Sequence, residues 1–113
     1  MTNSAMREPT YYTLAALLDG PLHGYGIIKQ TLLLSDGQVR LTAGTLYAAL
    51  DRLTEAGQIE FDSQEVVDGR ARRYYRLTGA GRHALQDEAA RLRHAANVVI
   101  QRARPGQAVG GLV

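Results

Sequence analysis

The stretch TAGTLYAALDRLTEAGQIE opens on four small or hydroxylated residues, Thr42-Ala43-Gly44-Thr45, and no bulky apolar side chain precedes Leu46. Further along, Arg70, Arg72, Arg73 and Arg76 crowd into seven residues. Hydroxyls and guanidinium groups share one chemistry: both donate hydrogen bonds to phosphate oxygens, and a guanidinium does so in a bidentate fork. A helix with a bare first turn lets its backbone approach a partner closely, and its unpaired N–H groups favour anions. These residue types suit recognition of a polyanion rather than bond-making. Arg40, just before the bare turn, supplies another phosphate donor.

The alternative chemistry would come from histidines. His83, Asp87 and His94 fall on one face of a helical stretch, but eleven residues separate the two histidines. That is about 16 Å of helix rise, too far for one metal ion. His83 with Asp87 makes an i, i+4 surface pair. No serine lies in a nucleophile motif and no glycine-rich phosphate loop follows a strand. Without cysteine there is no thiolate nucleophile, disulfide or cysteine metal site. No catalytic residue, metal or cofactor is expected, and the chain does not read as an enzyme.

The chain has 113 residues, of which 45% are hydrophobic, enough for one domain with a core. A domain of this size gains burial by pairing with a second copy. Net charge is only +2, and Lys29 is the sole lysine among 13 basic residues, so the placement of arginine matters more than its total. No apolar run approaches the roughly 20 residues that span a membrane. The first residues, MTNSAM, lack the charged start and apolar block of a signal peptide. The cytoplasm is the expected location.

The elements that position these residues follow from periodicity and punctuation. Residues 1–8 and 105–113 read as flexible tails. PTYYTLAALLDG suits a helix with Pro9 in its first turn, Gly20 past its end, and Tyr11, Leu14, Leu17 and Leu18 on one face. HGYGIIKQTLLLSDG suits a second, with Tyr25, Ile28 and Leu32 along a stripe. A third runs from Thr42 to Ala56, capped by the Thr42 hydroxyl, ended by Gly57, and facing the core with Leu46, Leu50 and Leu53. The period then falls to two in IEFDSQEVV and RARRYYRLT, joined by Asp68-Gly69, a strong signal for a type I′ hairpin turn. From Gly79 to Arg104 the period is helical again. Leu85, Leu92 and Val99 recur every seven residues, with Ala89, Ala96 and Ala103 between them, a seam of large and small residues for a partner helix.

Three helices followed by a hairpin is the plan of a winged helix-turn-helix, so the fold class is mainly α with a small β-hairpin. Residues 9–78 form the binding domain and 79–104 a long C-terminal dimerisation helix. In this plan the third helix enters the DNA major groove by its N-terminal end. Thr42, Ala43, Gly44, Thr45 and Ala48 then meet base edges or phosphates, with Tyr47 and Arg52 at the border and Arg40, Arg70, Arg72 and Arg73 reaching the backbone. Asp51 and Glu55 point away at the far end of the helix.

In order and spacing, PLHGYGIIKQ, LTAGTLYAALDRLTEAGQIE and GRARRYYRLTGAGRHAL resemble the PadR-like transcriptional regulators, over roughly Thr10 to Leu92. The resemblance implies a dimeric winged-helix repressor, paired through its C-terminal helix. It also implies that Thr42, Gly44, Thr45 and Tyr47, with arginines of the wing, meet operator DNA. His23 and Tyr25 match the family's HGY signature and are expected to be mainly structural. The sequence departs from the family's pattern at Ala48, where proline is common, and at Gly26, where an acidic residue is. Its C-terminal part is a single helix rather than a larger added domain. The expected partners are double-stranded operator DNA of pseudo-palindromic sequence, a second copy, and a small hydrophobic or aromatic effector held near Tyr11 and Tyr12. The competing reading is a winged-helix module that docks proteins, which would tolerate an acidic or apolar face where this one is small, hydroxylated and basic.

Overall fold

A computed structural model describes residues 6–103. The elements run α1 (Glu8–Ala16), β1 (Leu22–His23), α2 (Gly24–Leu34), α3 (Ala43–Glu55), β2 (Ile59–Val67), β3 (Arg70–Leu77) and α4 (Gly79–Ala103). Both expected tails lie largely outside the described residues. Where the N-terminal one is described, it is not loose: Met6 packs against the core, and α1 already begins at Glu8.

Each helix ends for a local reason. Pro9 in the first turn of α1 has no N–H to leave unpaired. α1 stops at Ala16, short of the expected Gly20, because Leu17 and Leu18 bond back only three residues, to Leu14 and Ala15. The His23 side chain caps α2, its Nδ1 accepting the Gly26 N–H at 2.9 Å. α3 is capped as expected, with Thr42 Oγ1 accepting the Thr45 N–H at 3.2 Å. It ends at Gly57, whose φ of +75° suits glycine, while the Gln58 N–H returns to the Leu53 carbonyl. Thr42→Ala should cost about 1 kcal/mol, read as a lower denaturant midpoint, with Thr42→Ser close to wild type. An unchanged midpoint for Thr42→Ala would mean the cap is decorative.

The core gathers Leu14, Leu17, Ile27, Leu46, Leu50, Leu53, Ile59 and Leu85. Full burial of one such side chain is worth about 1.5–3 kcal/mol. The α3 stripe is the expected one. That of α2 is displaced by one residue: Gly24, Ile27 and Thr31 are buried, Ile28 and Leu32 are partly so, and Tyr25 is 66% exposed. Gly24 and Thr31 carry little apolar signal, but their small volumes let α1 and α3 come close to α2. The Thr31 hydroxyl donates to the Tyr12 carbonyl of α1.

The sheet is three-stranded and antiparallel in the order β1-β3-β2. β1 was not expected, since two residues show no period; it pairs Leu22 with Tyr75 and His23 with Tyr74. Asp68 and Gly69 take φ values of +52° and +77°, as a type I′ turn requires. A bulge between Phe61 and Ser63 inserts Asp62, whose carboxylate accepts from Arg76 at 2.9 Å. Directly paired residues share a face. Ile59, Phe61, Leu77, Tyr75, Arg73 and Leu22 therefore lie on the core side. Glu60, Glu65, Arg76, Tyr74, Arg72 and His23 lie on the other.

α4 is riveted at its base. The Thr78 hydroxyl donates to the Gly57 carbonyl at 2.6 Å and accepts the Gly81 N–H at 3.0 Å, while the Thr78 N–H reaches the Gln58 carbonyl at 3.1 Å. Leu85, expected in the partner seam, is 4% exposed and belongs to the protomer's own core. It lies in the stretch of helix that still rests on the domain, so it is not available to a partner helix. Every residue from Ala89 to Ala103 is exposed.

Glu88 marks the border, 7% exposed and forked with the Arg91 guanidinium. The Arg91 hydrogen bonds hold the Glu88 carboxyl below the usual glutamate range, against the opposing effect of burial. A lowered native value stabilises the fold above the unfolded value, and that contribution is lost as pH falls through the native one. Acidification below about pH 4.3, the ordinary glutamate value, should therefore destabilise the wild type more steeply than Glu88→Gln. Parallel acid melting curves would remove Glu88 from this role.

Candidate nucleic-acid interface

The exposed side of α3 carries Thr42, Ala43, Gly44, Thr45, Tyr47 and Ala48, with Asp51, Arg52 and Glu55 further along. Nothing lies within 4 Å of where a Gly44 Cβ would stand, so the front of the helix is open to a partner. The Thr42 hydroxyl donates to Thr45 Oγ1 at 3.0 Å while accepting the Thr45 N–H. One hydroxyl has one hydrogen to give. The pair therefore uses one of its two hydroxyl hydrogens internally and keeps the other for an acceptor outside the protein.

Tyr47 sits where α3 crosses the start of α2. A Cβ on Gly24 would stand 2.9 Å from the Tyr47 hydroxyl oxygen, so the missing side chain is what admits the phenol. Beside this crossing the wing rises, and between them opens a cleft of about 630 Å³ lined by His23, Gly24, Tyr25, Tyr47, Arg70 and Arg72 among others. Its floor is aromatic. Tyr25 stacks on His23, and His23 meets the Tyr74 ring edge-on at 5.2 Å. The Tyr74 hydroxyl donates to Glu65 at 2.7 Å, and this bond raises its pKa. Gly24 and Tyr74 escaped the sequence reading. Tyr74 depends on β1, which places His23 opposite it; Gly24 was hidden inside the HGY signature.

The arginines sort into two groups. Arg76 is committed to Glu60 and Asp62, both at 2.8–2.9 Å, and Arg91 to Glu88. Arg73, expected to reach the DNA backbone, borders the cleft and lays its guanidinium over the Phe61 ring at 4.5 Å, with Nε donating to the Tyr75 hydroxyl. Arg72 and Arg73 alternate along a strand, so only one of them can face a given phosphate. Among the described residues Arg40, Arg52, Arg70 and Arg72 have no carboxylate partner. Arg52 donates to the Thr10 hydroxyl of α1 at 3.3 Å.

Tyr11 and Tyr12, edge-to-face at 5.5 Å, do border a cavity: about 160 Å³, completed by Met6, Glu8, Glu88 and Leu92. It lies between α1 and the point where α4 leaves the domain. His83 and Asp87 form the i, i+4 surface pair, 3.9 Å apart. No group of three metal-ligating side chains exists among the described residues, and no helix there is long and apolar enough to cross a membrane.

An open helix front beside a basic hairpin, on three helices and a small antiparallel sheet, defines a winged helix-turn-helix regulator. The sequence profile of the PadR-like family of transcriptional regulators matches residues 13–87, and the chain belongs to that family. As a regulator it is not an enzyme. A Mycobacterium tuberculosis relative, transcriptional regulator Rv3488, is 43% identical over 82 residues, which is 73% of either chain. A PadR family transcription regulator from Clostridium difficile superposes with a TM-score of 0.70 at 27% identity, over 84% of this chain and 97% of that one. A Bacillus subtilis PadR in complex with operator DNA superposes with a TM-score of 0.63, also at 27% identity, over 72% of this chain and 46% of that one.

Proposed function

We propose that the protein binds a pseudo-palindromic operator as a homodimer and represses transcription, with α3 in the major groove and the wing along the backbone. The observation that carries this is the unobstructed front of α3, where the Thr42–Thr45 hydroxyl pair keeps one hydrogen to donate, beside Arg70 and Arg72, which have no carboxylate partner among the described residues. The structure of Bacillus subtilis PadR with operator DNA supports it by likeness. Thr42, Ala43, Gly44, Thr45 and Ala48 approach bases and phosphates, Tyr47 and Arg40 flank them, and Arg73 stiffens the wing. The exposed apolar residues of α4, Leu92, Val98, Val99 and Ile100, with Ala89, Ala96 and Ala103, supply the surface for a second copy. In that dimer the cavity at Tyr11 and Tyr12 receives a small hydrophobic or aromatic effector, which acts by favouring one angle between protomers.

The test is fluorescence anisotropy on a duplex taken from upstream of the protein's own gene, against a scrambled duplex, across a salt series. Binding that prefers the upstream duplex and weakens steeply with salt is the expected result, each phosphate contact adding about 0.9 to the logarithmic slope. Absence of binding to either duplex at low salt would favour a protein-docking module instead.

A further inference from the structure

α3 has two flanks, and the wing occupies only one. On the other lies a second cleft, of about 330 Å³, between the start of α1 and the exposed side of α3. Arg7, Thr10, Thr45, Ala48 and Arg52 line it, with buried Leu41 among the residues behind them. Among the described residues, none that lines it is acidic. Glu8, next to Arg7, borders the cavity at Tyr11 and Glu88 instead. Arg7 and Arg52 are both exposed, and neither has a carboxylate partner among the described residues. The Arg52–Thr10 hydrogen bond at 3.3 Å sets that guanidinium across the cleft instead of leaving it to sweep through solvent.

Thr45 and Ala48 belong both to the front of α3 and to the wall of this cleft. A helix lying in a major groove has a phosphate strand on either side, and the groove is about 12 Å wide. With the wing cleft facing one strand, the α1 cleft faces the other. Resting on the operator-binding reading above, we propose that Arg7 and Arg52 form a second phosphate clamp, which grips the strand opposite the wing and seats α3 between two cationic walls. Phosphate contacts carry no base information; they set how deep and at what angle the helix lies. Arg7 thereby becomes part of the DNA-binding surface, a role that its place before the first helix did not suggest.

The clamp is tested with Arg7→Ala and Arg52→Gln, singly and together, on the upstream and scrambled duplexes across a salt series. The double variant should weaken binding to both duplexes by a similar factor, keep the ratio between them, and lower the salt slope by about 3.6 for the proposed dimer, two contacts on each protomer at roughly 0.9 each. Thr10→Val, which removes the hydroxyl but no charge, should lower the slope by less than Arg52→Gln. Because Arg7 is exposed and has no carboxylate partner among the described residues, Arg7→Ala should melt like wild type, which separates lost contact from lost fold. If Arg70→Ala and Arg72→Ala weaken binding while the Arg7 and Arg52 variants keep wild-type affinity and slope, the clamp is overturned and the operator reading stands. If the wild type binds neither duplex, the operator reading falls and takes the clamp with it.

Discussion

Gly81→Ala should destabilise the protein by about 3 kcal/mol or more, the upper end of what overpacking a close contact costs. A Cβ built on Gly81 stands 1.9 Å from the Gln58 carbonyl oxygen and 2.8 Å from its carbon. Those atoms are backbone, pinned by the Thr78 N–H, so no side chain can rotate aside. α4 would have to lift from the α3–β2 corner, loosening the Gly81–Thr78 cap and the seat of Leu85. For a domain of about 100 residues, 1 kcal/mol moves the melting temperature by about 4–8 °C, so a fall of more than about 12 °C is expected. Gly79→Ala, two residues earlier, meets nothing within 4 Å and should melt close to wild type. Equal melting of the two variants would mean that the rivet does not hold the helix.

Leu92→Glu should separate the proposed dimer. Leu92 is 40% exposed and Val99, one heptad on, is 65% exposed, so a charge here costs the folded protomer only the repulsion from nearby Glu88, about a few tenths of a kcal/mol. In a partner seam the same charge would be buried without a counterion, which is costly. Losing the second protomer also loses its effective concentration on the operator, which multiplies affinity by about 10²–10⁴ in linked sites. Sedimentation should show monomers at micromolar concentration, and operator affinity should fall at least about a hundred-fold. Affinity for a half-site should hardly change. A variant that stays dimeric would move the seam to another face, and Val98 and Ile100 would be the next positions to charge.

Much of this was legible in the sequence, wherever one residue type answers one geometric need. Thr42 before a bare turn, Gly57 after the third helix and Asp68-Gly69 between two alternating runs each marked a boundary that the structure keeps. What escaped depends on residues distant in sequence. β1 exists because β3 offers an edge to Leu22 and His23, and no period of two residues can announce that. The α2 stripe was misplaced because Thr31 and Gly24 are chosen for size, while Tyr25, apolar by type, is turned outward. Leu85 fits a heptad and the core equally well until the length of the domain beneath α4 is known. The arginine run looked uniform, yet Phe61 claims Arg73 and two carboxylates claim Arg76.

The border at Glu88 also bears on descent. Up to that residue α4 helps complete the core; past it, no described side chain is buried in the protomer. With pairing through α4 as proposed, mutations beyond Arg91 are free to change which copies pair without disturbing the core of the unit that reads DNA. After a gene duplication, two sister proteins can stop exchanging subunits by a few changes in that exposed stretch, each still carrying the parental α3. In the proposed dimer, recognition of DNA and recognition of kin are inherited on separate parts of one short chain.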